Sequence, residues 1–80
     1  MEPLIGQIQA FGFNYAPDGW AVCEGQTMPI AENEPLFSLL GTTYGGDGRT
    51  SFALPDLRQA SARDNVHFCI ALNGGYPSRS

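Results

Sequence analysis

The chain has 80 residues, 42% of them hydrophobic, with five Phe, three Tyr, one Trp and a formal net charge of −4. That length accommodates a single domain, residues 1–80, which buries only roughly 60% of the surface its unfolded chain exposes, and the apolar and aromatic content excludes the disordered class. There is no Lys, and Arg49, Arg58, Arg63 and Arg79 are dispersed, which excludes nucleic acid as a partner because a phosphate backbone calls for a concentrated basic face.

Ten Gly and six Pro punctuate the chain, so short strands and turns are expected rather than long helices. From Leu4 to Phe13 the apolar positions, with the alternation Ile8-Gln9-Ala10, predict a first strand bent near Gly6 or Gly12. Ala16-Pro17-Asp18-Gly19 predicts a turn, with the proline at the first corner. Trp20 to Cys23 reads as a strand that Glu24-Gly25-Gln26 folds back onto Thr27 to Ile30 as a hairpin. The one helix expected runs from Pro35 to Leu40, with Asn33 or Glu34 as its cap, a broad apolar face, and Gly41 as its stop. A loop, Gly45-Gly46-Asp47-Gly48-Arg49, precedes a strand from Thr50 to Leu54 that Pro55-Asp56 ends. The polar stretch Arg58 to Asn65 reads as a linker or surface loop, and Val66 to Leu72 is the strongest strand, apolar enough to be buried on both faces. Asn73-Gly74-Gly75 turns the chain, and Tyr76 to Ser80 trails out. The fold class expected is mainly β with one short α-helix, a small α+β domain.

No apolar run approaches the ~20 residues that span a bilayer, so membrane insertion is not expected. Met1-Glu2-Pro3-Leu4 lacks the basic start and apolar stretch of a signal peptide, which leaves assembly in the cytoplasm or export by another route.

Little in the chain points to catalysis. His67 is the sole histidine, and strand alternation places it on one face with Cys69 while Phe68 and Ile70 take the other; proximity alone does not activate a thiol. The loop from Gly45 to Arg49 lacks the Lys-Ser/Thr pair of a phosphate-binding loop, and Asp47 offers one carboxylate where calcium takes six to eight oxygens. Turn chemistry accounts for it. Asp56 is expected to form a turn hydrogen bond or an ion pair with Arg58. Cys23 and Cys69 form no CxxC pattern and no zinc site; they read as buried small hydrophobes or, in an oxidising compartment, as a disulfide adding ~2–4 kcal/mol. Trp20 is expected in the core, whereas Tyr15, Tyr44 and Tyr76 sit at loop edges that suit an interface or, alternatively, a surface glycan. No enzymatic activity and no cofactor are expected.

The segments "IGQIQAFGFNYAPDGWAVCEGQTMPI", "LFSLLGTTYGGDGRTSFALPDLR" and "CIALNGGYPSR", in this order, resemble the phage tail collar domain. This is a module shared by phage short tail fibres and bacterial microcystin-dependent proteins. In longer members the LPDLR segment leads into a glycine and a long variable region before the closing strand. Here Gln59 stands in place of that glycine and only Gln59 to Asn65 separates the two segments, so the receptor- and metal-binding roles of the longer members are not carried over. The resemblance implies a compact, collar-like structural module of a virion or phage-derived extracellular particle. Its expected partners are copies of itself, as a trimer, ring or filament, or other tail-fibre components. Leu4, Ile5, Ile8, Tyr15, Tyr44 and Tyr76 are the residues expected at such interfaces; an adhesin or carbohydrate-binding module is the alternative.

Overall fold

A computed structural model describes residues 3–77; of the tail expected from Tyr76 to Ser80, residues 78–80 lie outside them. The elements in chain order are β1 (Ile8–Phe11), β2 (Trp20–Val22), β3 (Thr27–Pro29), a 3-10 turn (Ile30–Glu32), α1 (Glu34–Leu40), β4 (Ser51–Ala53), α2 (Arg58–Asp64) and β5 (His67–Ala71). They form a three-stranded sheet of order β1-β5-β2 and a two-stranded sheet of β3 and β4. The α+β class expected from the sequence stands, with two short helices instead of one.

The most apolar strand takes the central place. β5 pairs antiparallel with β1, Ile8 opposite Ile70 and Phe11 opposite His67, and with β2, Trp20 opposite Ala71 and Val22 opposite Cys69. Cys69, Ile70 and Ala71 are all fully buried, as a strand covered on both faces requires. The hairpin expected between Trp20–Cys23 and Thr27–Ile30 does not form. Glu24 to Gln26 instead carries the chain from one sheet to the other, and β3 pairs with β4, Met28 opposite Phe52. Local turn residues allowed the hairpin, but pairing with distant apolar strands buries more surface. The first strand is also shorter than expected: Leu4 makes only an isolated bridge with Gly75.

Between the sheets lies a core of Cys23, Leu36, Phe52, Leu54 and Ile70, with Ile5, Met28, Phe37 and Leu40 packed against it. Helix α1 closes this core as expected: Leu36 is fully buried, and the Phe37 and Phe52 rings lie 5.5 Å apart. Its cap differs from expectation. The Asn33 side chain makes no bond to the helix amides and donates instead to the Pro29 carbonyl at 3.0 Å. Gly41 ends the helix at φ 57°, its N–H bonded to the Phe37 carbonyl, a backbone region open mainly to glycine.

The stretch expected as a linker, Arg58 to Asn65, holds α2. Its Arg, Gln and Ala residues are good helix formers, and Asn65 in the left-handed region at φ 56° ends it. In the first turn, Pro17 supplies the carbonyl that accepts from the Trp20 N–H at 3.0 Å, so Asp18 and Gly19, not the proline, occupy the corners.

Gly46 is a steric requirement of the fold. It has φ +95°, and a Cβ there would meet the Phe52 Cα and lie 2.7 Å from the Ser51 carbonyl oxygen. Gly46→Ala should therefore destabilise the domain by about 2 kcal/mol or more in chemical denaturation. Gly12→Ala, where nothing lies within 4 Å of the added carbon, should change stability by less than about 0.5 kcal/mol.

Candidate functional site

Residues at paired positions of an antiparallel sheet share a face. Ala21 and Ile70 thus face the core, while Gln9, Phe11, Trp20, Val22, His67 and Cys69 form the outer face of the three-stranded sheet. His67 and Cys69 share that face, as strand alternation predicts. Trp20 is only half-buried there, not in the core as expected, and its indole meets Phe11 edge-on with centroids 5.1 Å apart. The row continues off the end of β1 through Phe13, 5.2 Å from Phe11, to Tyr15, 4.6 Å from Phe13. Phe13 and Tyr15 are 40% and 61% exposed. Phe13, exposed in this row, is not among the residues expected at an interface; the spacing Phe11-x-Phe13-x-Tyr15 is the signal in the sequence that aligns the three.

The other expected interface residues divide. Leu4, Ile8, Tyr44 and Tyr76 are exposed, whereas Ile5 is half-buried against the core. The Tyr76 and Ser38 hydroxyls lie 2.6 Å apart, which ties the C-terminal segment to α1.

Beside the aromatic row, a cleft of about 370 Å³ opens between α2 and β5, lined by Val22, Glu24, Arg58, Ser61 and His67 among others. Two of its polar side chains are already engaged. Arg58 donates to both Asp56 oxygens, at 2.9 and 2.7 Å, and the Ser61 hydroxyl accepts the Phe68 N–H. The cleft exists because α2 does, so reading residues 58–65 as a linker concealed it. No group of three His, Cys, Asp or Glu placed to hold a metal occurs among the described residues.

The glycine loop is organised by Asp47. One carboxylate oxygen accepts from the N–H groups of Arg49, Thr50 and Ser51, and the other from the Thr50 hydroxyl, all within 3.0 Å. The loop then braces β4, Gly48 N–H bonding the Ser51 carbonyl and Ala53 N–H the Gly45 carbonyl. Pro55 is buried and its carbonyl accepts the Gly25 N–H, so the turn after β4 joins the crossing between sheets. Backbone hydrogen bonds hold the Asp47 carboxyl well below the usual carboxylate range, and Arg58 holds that of Asp56 down at about 2.

Cys23 and Cys69 are free and buried. Cys23 donates its N–H to the Phe68 carbonyl while Cys69 lies opposite Val22. That register sends the two thiols to opposite faces of the sheet. Burial, then the neighbouring Cys69, pushes the Cys23 thiol up to about 11.

The model of the phage tail collar domain family matches residues 6–62, well over half of the chain. This chain belongs to the phage tail collar domain family. A search of curated proteins finds no match. The match runs from β1 into α2 and stops before β5, yet β5 is the strand to which β1 and β2 of this collar domain both bond. Family membership suggests a structural module of phage tail fibres.

Two outcomes follow for the collar domain. A carboxyl whose pKa is depressed on folding contributes stability that is present above its unfolded pKa and lost as pH falls through the folded one. The melting temperature should therefore drop as pH is lowered from about 4 toward 2, and drop less steeply in Asp47→Asn, followed by circular dichroism. The native thiols should react with a disulfide reagent at pH 8 far more slowly than in denaturant, because burial withholds both the sulfur and its thiolate form; equal rates would contradict their placement.

Proposed function

We propose that this collar domain is a structural building block of a phage tail fibre or phage-derived particle, associating with copies of itself as a trimer, ring or filament or with other tail components. The observation that supports the reading is the uncovered aromatic row. Phe13 and Tyr15 stack on each other in the open, continuous with Phe11 and Trp20, and aromatic residues are enriched where proteins meet. Tyr44, beside the glycine loop, and Tyr76, on α1 through Ser38, offer a second exposed set. Separate exposed patches let each chain meet more than one neighbour, as assembly beyond a pair requires. In the cleft, Arg58 is held by Asp56 and the Ser61 hydroxyl by the Phe68 N–H, which speaks for a structural role of both side chains.

Light scattering and negative-stain electron microscopy of the purified chain should find species heavier than one chain, growing with concentration, and Tyr15→Ala should shift the distribution toward the monomer. A monomer at every concentration would overturn self-association.

A further inference from the structure

Each strand edge but one carries a device that limits pairing with another chain. The bond from Leu72 N–H to the Gly19 carbonyl sets the phase of the β2–β5 ladder, so Trp20 and Val22 turn their backbone groups outward. Those groups are partly occupied: Trp20 N–H bonds the Pro17 carbonyl, and the Gln26 side chain donates to the Val22 carbonyl at 2.8 Å. The glycine loop bonds β4, and β3 ends in Pro29, which has no N–H to give.

Among the described residues, β1 has no such device. The bond from Ala71 N–H to the Gln7 carbonyl fixes the phase of its ladder with β5, so Gln9 and Phe11 bond inward while Ile8 and Ala10 point N–H and C=O away from the sheet. No described strand pairs with that side, and Ile8, Gln9 and Ala10 are all exposed. The surrounding sequence has one further property. From Pro3 to Pro17 there is no charged residue, although the chain carries 4 basic and 8 acidic ones elsewhere.

From this we infer that β1 pairs antiparallel with β1 of a second copy about a two-fold axis, joining two sheets into one of six strands ordered β2-β5-β1-β1-β5-β2. This deepens, and rests on, the reading of the chain as a self-associating building block. At a two-fold axis each residue near the centre meets its own copy, so any charge there meets a like charge; a charge-free segment is the condition for such a contact. Placing the axis at Gln9 puts Ile8 opposite Ala10 of the second copy. The outward groups of both residues then exchange ladder hydrogen bonds, and the exposed Ile8 side chain gains an apolar neighbour. The two Gln9 residues form the central, non-hydrogen-bonded pair, with Cα atoms roughly 4.5 Å apart. Three residues of ladder alone fall short of the ~1,200 Å² of a stable interface, so Phe13 and Tyr15, just beyond the strand, have to contribute contact area.

The test places charge on the axis. Gln9 is exposed and bonds only Gln7 through its side chain, so Gln9→Lys and Gln9→Glu should fold and melt like the wild type. In sedimentation equilibrium each variant alone should dimerise about fivefold or more weakly than the wild type. An equimolar mixture should recover association, as a mixed dimer that native mass spectrometry distinguishes by mass. Wild-type-like association of both variants, or a mixture no tighter than either alone, would overturn β1 pairing and leave self-association standing through another surface. A monomeric wild type would overturn both.

Discussion

Strand β5 is hydrogen-bonded along both edges and covered on both faces, and the rest of the domain is arranged to make that burial complete. Its core side sends Ile70 between the sheets to meet Phe52 and Leu36. Its outer side places Cys69, at 0% exposure, beneath the Phe11 and Trp20 rings that pack across it. Pairing Phe11 with His67 closes a long stretch of chain, an entropic demand that grows slowly with loop length. A domain this small has few side chains with which to meet it. The return comes from burying five consecutive strand positions, in whole or in part, at the centre of the molecule.

The two faces are not covered equally. On the core side, α1 and the β3–β4 sheet supply a full second layer, as a stable domain requires. On the outer side there are only the aromatic row and α2, a seven-residue helix. The cover thins from Trp20 and Phe11, half-buried, to Tyr15, which is mostly exposed. An incomplete layer of this kind links packing to assembly, because the surface that one chain lacks the residues to cover is available to another.

Charge is kept out of the core. No polar or charged residue is fully buried among those described, and the two ion pairs, Asp56–Arg58 and Arg63–Asp64, lie in the open, where such pairs contribute little to stability. They act locally. Asp56 accepts the Arg58 N–H at 3.1 Å as well as its guanidinium, which starts α2 at the point where the chain leaves β4. Asp47 similarly fixes the loop that lies along β4. The carboxylates thus shape turns, and the apolar strands are left to pair.

Much of this was legible in the sequence. The strand at Val66 to Leu72 followed from its apolar run, α1 from Pro35, its leucines and Gly41, and the loop at Asp47 from glycines beside a residue that bonds its own backbone. The order of PDGW, CEG and LPDLR also carried the family resemblance. Tertiary structure decided the pairing. Turn residues at Glu24 to Gln26 are compatible with a hairpin or a crossing, and only the burial of Val22 against Cys69 and of Met28 against Phe52 separates the two. It also decided α2, whose polar residues show no apolar stripe because the helix lies on the surface, and the openness of β1, since an edge is defined by the strands that are not beside it. Composition and spacing record what each residue prefers locally; which partner satisfies that preference depends on segments distant in sequence.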